Sequence, residues 1–170
     1  DINQKLNYER TNSQLLTGCV TFYYAHFKNI NLNLNNLFCE DTINFLYSDG
    51  DIENIKVFNS LSDGIDADFS ELNIKNILIN NSKNDCSDFS FGKYVILKGS
   101  FNNCGDKALS FGEMSNGTIK EIQISNSFDG VVAKDDSIVN VNEVNAKNIK
   151  NYCFAAYNKK PEFGGGTLTI

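Results

Sequence analysis

The sequence predicts an all-β protein, a right-handed parallel β-helix, which is a solenoid of about six to seven coils with ~22 residues in each coil. Three observations predict this fold class. One series of asparagines recurs at a nearly constant step, apolar residues recur at the same step, and a second alternating strand follows each member of an acidic series. Columns that share one step indicate coils of equal length stacked on one another.

The asparagine series marks the end of one strand in each coil. Its members are separated by 22 or 23 residues: Asn36, Asn59, Asn81, Asn103, Asn126 and Asn148. Two positions earlier stand Leu34, Val57, Ile79, Phe101, Ile124 and Ala146, and four positions earlier stand Leu32, Ile55, Ile77, Gly99, Ile122 and Val144. Apolar residues at every second position are typical of a strand with one buried face. The asparagines are therefore predicted to lie at turns, where stacked side-chain amides bond to one another.

The acidic series opens a second strand in each coil: Asp41, Asp63, Asp85, Asp106 and Asp129. The residues predicted to point inward after it are Ile43 and Phe45, Ile65 and Ala67, Ser87 and Phe89, Ala108 and Ser110, Val131 and Ala133, and Phe154 and Ala156. A repeat of ~22 residues is too short for a βαβ unit, which needs about 30. The consensus of leucine-rich repeats is missing and helical solenoids have longer periods, so the β-helix is the interpretation that remains.

Domain organisation and composition narrow the classes of partner. Residues 1–17 are predicted to be an N-terminal cap or the segment that enters the first coil, and residues 18–170 the β-helix, as part of a longer chain. A net charge of -6 disfavours binding to nucleic acid. No apolar run reaches the ~20 residues of a membrane-spanning helix, so membrane insertion is not expected.

The five cysteines have irregular spacing and are predicted to be small buried side chains rather than a disulfide framework.

The span 18–170 resembles the right-handed parallel β-helix repeat group within the pectin-lyase-like superfamily. Segments 62–70, 105–113, 133–135 and 159–165 resemble β-helix segments of bacterial envelope proteins, some of which accompany kinase-like domains similar to spore-coat protein H. The resemblance implies a bacterial protein of the cell envelope or a secreted one. It leaves the activity open, because the superfamily includes lyases, hydrolases, epimerases, adhesins and passive stalks.

Stacked carboxylates on the middle coils form the first candidate site. Asp66 and Asp88 are predicted to occupy one outward column, with Asp68 two residues along the strand. Carboxylates ~5 Å apart repel by roughly 0.8–3 kcal/mol per pair, and a Ca²⁺ ion would offset that repulsion because hard cations bind carboxylate oxygens. Calcium is the one cofactor that the sequence suggests. The alternative is that these carboxylates are only solvated or cap turns.

Lysines and a glutamate on the last coils form the second candidate site. Lys134, Lys159 and Glu113 could bind an acidic sugar and remove a proton beside its carboxylate. The alternative is a ladder of ordinary surface ion pairs. Asp68 and Lys134 are expected to lie three coils apart, about 14 Å, which predicts that the two candidate sites are separate.

An apolar and aromatic strip on the later coils forms the third candidate. Leu109, Val132, Phe111 and Tyr157 are predicted to face outward and to bind a ligand. The alternative is that a loop of the chain covers them. The favoured hypothesis is a non-catalytic or accessory module that contacts polysaccharide or another domain of the same protein. A polysaccharide lyase or uronate epimerase is one alternative, and a purely structural stalk is another.

Overall fold

The computed structural model describes residues 16–170 as a parallel β-solenoid of about six turns with ~22 residues in each turn. The predicted all-β solenoid is therefore confirmed. Of the predicted N-terminal cap, residues 1–15 lie outside the described part of the chain. No helix long and apolar enough to cross a bilayer occurs in residues 16–170.

Two seven-stranded sheets, here called sheet A and sheet B, alternate along the chain. Sheet A contains β1 (Gly18–Tyr23), β3 (Asp41–Leu46), β5 (Asp63–Asp68), β7 (Ser87–Ser90), β9 (Lys107–Gly112), β11 (Asp129–Lys134) and β13 (Phe154–Tyr157). Sheet B contains β2 (His26–Asn35), β4 (Asp49–Ser60), β6 (Glu71–Ser82), β8 (Lys93–Cys104), β10 (Asn116–Ser125), β12 (Ile138–Lys147) and β14 (Thr167–Thr169). Each strand pairs in parallel with the equivalent strands of the coils before and after it, except that β1, β2, β13 and β14 each have one neighbour in the described residues.

The predicted asparagine column and the two apolar columns of sheet B are confirmed by the register. Ile55 pairs with Ile77, and Ile77 with Gly99. The asparagines have φ between 55° and 70°, a left-handed conformation that asparagine tolerates better than most residues. Their amides form a ladder in which Asn81 Nδ2 donates to Asn59 Oδ1 over 2.7 Å, and equivalent bonds run along most of the column.

The predicted register of sheet A is wrong at one coil. Asp85 is followed 22 residues later by Lys107, and Lys107 pairs with Asp129, so a lysine rather than Asp106 stands in the acidic column. A shift of one residue moves every side chain of a strand to the opposite face. Leu109 and Phe111 therefore point inward and are completely buried in the core, whereas Ala108 and Ser110 do not occupy those inward positions.

The predicted state of the cysteines is also wrong, because four of the five form disulfides. Cys19 is bonded to Cys39 and Cys86 to Cys104, each pair with its Cα atoms 5.4 Å apart. Each bond joins the beginning of a sheet A strand to a residue late in the same coil. One turn of the solenoid brings its two ends together, so residues far apart in sequence meet at bonding distance. Cys153 is a free, exposed thiol.

Candidate functional site

The outer face of sheet A carries polar and charged side chains that are largely shielded from solvent. One outward column runs through Asn44, Asp66, Asp88, Ser110 and Val132, and its neighbour runs through Leu46, Asp68, Ser90, Gly112 and Lys134. Asn44 is 1 % exposed and Ser110 is 0 % exposed. Polar side chains on the outer face of a solenoid are normally exposed to solvent. The burial of Asn44 and Ser110 therefore sets this face apart from an ordinary solenoid surface.

Five ionisable residues of this face form what we call the charged cluster: Asp66, Asp68, Asp88, Glu113 and Lys134. Asn44 Nδ2 donates a hydrogen bond of 2.9 Å to Asp66 Oδ2, and Asp66 stacks directly on Asp88 in the register. Asp88 Oδ2 lies 3.5 Å from Lys134 Nζ. The lysine side chain is 4 % exposed and that of Asp88 is 26 % exposed, so this ion pair is mostly removed from water.

Lys134 reaches Asp88 because the coil between them offers an open path. Gly112 lies next to Lys134 in the outward column, and a Cβ atom added at Gly112 would stand 2.8 Å from Lys134 Cε. The long lysine side chain therefore runs across the glycine toward the preceding coils. The expectation that the carboxylates and Lys134 form separate sites is wrong, because it took distances from the backbone and ignored the length of the lysine side chain.

Glu113 joins the cluster from the turn that follows β9. Ser90 Oγ donates a hydrogen bond of 2.5 Å to Glu113 Oε2, and Lys160 Nζ forms an ion pair with Glu113 Oε1. Lys159, which was predicted beside Glu113, is exposed, and its backbone amide donates to Asp135 Oδ1 over 2.7 Å. Lys134 and Glu113 therefore come together near the carboxylates, whereas Lys159 is held elsewhere by its main chain.

Electrostatics within the cluster oppose full ionisation of Asp66 and Asp68. Burial, followed by repulsion from Asp68 and other carboxylates, raises the pKa of Asp66 well above its ordinary value. Burial and repulsion from Asp88 raise the pKa of Asp68 to about 6. Burial alone would raise the pKa of Glu113, but hydrogen bonds from Lys160 and Ser90 outweigh it and lower that pKa. The cluster thus combines protonation-prone and ionised carboxyls within a few ångströms.

Several polar atoms of this face lack a hydrogen-bond partner within the described part of the chain. They are Asn44 Oδ1, Asp88 Oδ1 and Ser110 Oγ, and all three are inaccessible to solvent. Most buried polar atoms of folded proteins are satisfied, because an unmade hydrogen bond costs about 1–3 kcal/mol. Three unsatisfied atoms in one column are therefore a local cost that solenoid folding does not require.

A ladder of exposed aromatic side chains borders the charged cluster. Tyr24, Tyr47, Phe69 and Phe91 follow directly after strands of sheet A, and their rings stack with centroid separations of 5.0, 4.8 and 4.5 Å. Each residue has φ of 50°, which is uncommon for a bulky side chain and costs about 1–3 kcal/mol. The rings are 37–68 % exposed. Because the faces stack on one another, the ladder presents mainly ring edges to solvent.

The sequence contained a signal for this aromatic ladder that our interpretation missed. Tyr24, Tyr47, Phe69 and Phe91 are separated by steps of 23, 22 and 22 residues, the same steps that revealed the asparagine column. The series stops after four coils, since Glu113 and Met114 occupy the corresponding turn. An incomplete column is hard to recognise without the register.

The four residues of the predicted ligand-binding strip do not share one exposed face. Tyr157 is 38 % exposed and pairs with Lys134, and Val132 lies on the outer face but is fully buried. Phe111 packs against Phe89 with ring centroids 5.1 Å apart, inside the core. Leu109 is also completely buried, so only Tyr157 of these four residues is exposed to solvent.

Metal binding at Asp66, Asp68 and Asp88 stays a prediction. Within residues 16–170 no group of three or more histidine, cysteine, aspartate or glutamate side chains is arranged to hold a metal ion. Lys134 already places a positive charge beside Asp88. The ammonium group thereby supplies part of the charge compensation that the sequence had suggested calcium would supply.

Comparisons of the chain with protein-family models, with curated proteins and with solved structures find no match.

Proposed function

We propose that this solenoid is a binding module for polysaccharide, with the outer face of sheet A as its binding surface. The observation that carries the proposal is the exposed aromatic ladder, which lies directly beside the shielded charged cluster. Aromatic edges supply an apolar rim for a sugar chain, and the half-buried carboxylates of Asp66, Asp68 and Asp88 supply hydrogen bonds to hydroxyl groups. Neither feature is needed to hold coils together, since sheet B stacks without them.

The strain in the ladder supports a role beyond folding. Four aromatic residues held at positive φ together cost several kcal/mol, and residues such as asparagine occupy the same conformation more easily. Strained positions concentrate at functional sites, where the surrounding structure holds them. Unsatisfied atoms at Asn44, Asp88 and Ser110 add to this cost on the same face.

The compartment proposed for this module is outside the reducing cytosol. Two disulfides within residues 16–170 are typical of exported proteins. A bacterial cell-envelope or secreted protein agrees with this chemistry and with the resemblance to pectin-lyase-like β-helices. Surfaces of that compartment are rich in polysaccharide, which is the partner class that the ladder and the cluster fit.

A carbohydrate-active enzyme is the second candidate, favoured by the charged cluster alone. Burial and nearby carboxylates raise the pKa of Asp66, while hydrogen bonds from Lys160 and Ser90 lower the pKa of Glu113, and carboxyls with opposed protonation tendencies are what proton transfer requires. A polysaccharide lyase or uronate epimerase would use Lys134 and Glu113 from this cluster.

Binding to a panel of soluble polysaccharides, measured by affinity electrophoresis, tests the proposal. We expect the double variant Tyr47→Ala and Phe69→Ala to lose at least about tenfold in affinity, because it removes the centre of the rim. Tyr152→Ala is the matched control, since Tyr152 is 56 % exposed and lies outside the ladder. Equal binding by the double variant would refute this surface. If no polysaccharide is retained, the remaining hypothesis is the structural stalk.

The same panel separates binding from catalysis. A lyase produces unsaturated uronate ends that absorb in the ultraviolet, and an epimerase exchanges a sugar proton with solvent. We expect neither signal from the wild-type protein. Turnover that disappears in Asp66→Asn would instead establish the enzyme candidate, provided that the variant melts at the wild-type temperature.

A further inference from the structure

A cavity of about 200 Å³ lies where the aromatic ladder ends. Its walls include three large apolar side chains and three polar ones: Phe69, Phe91, Met114, Glu71, Lys93 and Asn116. The three polar residues are the first residues of β6, β8 and β10. In each coil the charged cluster precedes the ladder and the cavity residues follow it, since Asp68 stands directly before Phe69 and Glu71 two residues after it.

The ladder leaves this space because a methionine stands where the next ring would be. Asn116 pairs with Lys93, so Met114, two residues before Asn116, occupies the position that Phe91 has in the preceding coil. Met114 is unbranched and 59 % exposed. Its φ is 59°, and that of Phe91 is 50°, a conformation that large side chains adopt at a cost and that is concentrated at functional sites.

The polar side chains of the cavity are available to a ligand. Lys93 Nζ lies 3.9 Å from Glu71 Oε1, which is beyond hydrogen-bond distance, although His26 and Asp49 of the same column approach to 2.6 Å. No hydrogen bond within residues 16–170 uses the side-chain ends of Glu71, Lys93 or Asn116. The cavity therefore offers both donors and acceptors to a bound molecule.

We infer that this cavity binds one uncharged sugar unit of the polysaccharide. Sugar hydroxyls both donate and accept, and they match a carboxylate, an ammonium group and an amide. The apolar side of a sugar ring would contact the aromatic edges and the adaptable thioether of Met114. The inference rests on the proposed polysaccharide binding, to which it adds a sugar class and a subsite.

Charge and size select the sugar unit. Glu71 would repel a uronate and Lys93 would repel an amino sugar, whereas an uncharged sugar meets no like charge. A cavity of about 200 Å³ is smaller than the roughly 300–1,000 Å³ of pockets that enclose drug-sized ligands. It therefore accommodates a single ring, while the rest of the chain lies along the ladder.

The variant Met114→Phe tests the inference by closing the cavity without removing the ladder. Phenylalanine already occupies the equivalent position at Phe91 with a similar φ, so the new ring would extend the stack into the space. We expect at least about a tenfold loss of affinity for the retained polysaccharide, with a Tm no lower than that of the wild type. Met114→Leu, of similar volume, is the control and should bind like the wild type.

A matched pair of lysine variants tests the polar wall. Lys93 and Lys75 are both exposed and both lie near a glutamate of the preceding coil, but Lys93 alone lines this cavity. Lys93→Met should weaken binding at least about threefold because it removes a donor to the sugar, whereas Lys75→Met should leave affinity unchanged.

The sugar class is tested by affinity electrophoresis with five polysaccharides: a neutral glucan, a mannan, a xylan, polygalacturonate and chitosan. We expect retention by at least one of the three neutral polymers. Retention by polygalacturonate or chitosan alone would overturn the inference, and so would wild-type affinity in Met114→Phe, while polysaccharide binding stands in both cases. Retention by none of the five would refute the proposed function itself.

Discussion

The outer faces of sheets A and B both stack polar side chains from coil to coil, but they differ in how far their ion pairs are buried. On sheet B, the ion pairs are exposed to solvent. Lys75 Nζ lies 2.6 Å from Glu53 Oε1, and the two side chains are 57 % and 35 % exposed. On sheet A, Lys134 is 4 % exposed in its contact with Asp88, and Glu113 is 7 % exposed in its contact with Lys160. Exposed ion pairs contribute little to stability, whereas buried ones require removal of both ions from water.

Stability alone explains sheet B but not sheet A. On sheet B, the asparagine ladder and the exposed ion pairs connect neighbouring coils without burying charge. The same arrangement could have been repeated on sheet A. Sheet A instead combines raised carboxyl pKa values, unsatisfied acceptors and strained aromatic turns in adjoining columns. Features that oppose folding and occur together are expected where a ligand is bound.

The largest expected difference between the two sheets is in their response to pH. Burial raises the pKa of Asp41, Asp63 and Asp68 to about 6 and that of Asp85 to about 7, from an ordinary value of 3.8. The folded state therefore binds more protons than the unfolded state between pH 4 and pH 7, and stability falls as pH rises through that window. We expect Tm to fall by about 5–10 °C from pH 5 to pH 8.

Thermal melts of two matched variants localise this pH response. Asp63→Asn keeps an oxygen that can accept from the Asp85 amide and should reduce the slope of Tm against pH. Asp51→Asn keeps the equivalent bond from Asn73 on sheet B and should leave the slope unchanged. A slope that is unaffected by Asp63→Asn would show that Asp63 does not titrate in this window.

Removal of one lysine from each face gives the next largest contrast. Lys134→Met keeps most of the side-chain volume but leaves Asp88 half-buried without its partner, so we expect a loss of about 2 kcal/mol in the free energy of unfolding. Lys75→Met removes an exposed pair and should cost under about 0.5 kcal/mol. Urea denaturation measures both variants. Equal effects would mean that the two faces do not differ in electrostatic burial.

The smallest contrast concerns the glycine beneath Lys134. Gly112→Ala places a methyl group 2.8 Å from Lys134 Cε and should push the ammonium group away from Asp88, at a cost of about 1 kcal/mol. Gly165→Ala is the control, because no atom lies within 4 Å of a Cβ added there. If Gly112→Ala is neutral and Lys134→Met is costly, Lys134 reaches Asp88 by another route.

The repeat itself could be predicted from sequence because it depends on many columns at once. Ile55, Ile77 and Ile122 keep the same step as the asparagines, and an error at one member does not alter the fold. The prediction of the site, in contrast, depended on the position of individual residues within a column. Lys107 replaces an aspartate and shifts the apparent register by one residue, which exchanged the predicted positions of Ser110 and Phe111.

The Lys134–Asp88 ion pair and the disulfides could not be predicted from the repeat pattern, for a different reason. The contact between Lys134 and Asp88 depends on a glycine in the neighbouring coil and on the rotamers of a long side chain. Cys86 and Cys104 have no regular spacing and meet only because one coil closes on itself. Residue spacing along a strand contains neither of these geometries.

Each disulfide turns one coil into a covalent ring. When the protein is pulled from its two ends, the chain between Cys86 and Cys104, a separation of 18 residues, cannot extend until the bond is reduced. At about 3.4 Å per residue, that ring withholds about 60 Å of contour length. Proteolysis meets the same topology: a single cut after Lys93 inside the ring leaves both fragments joined.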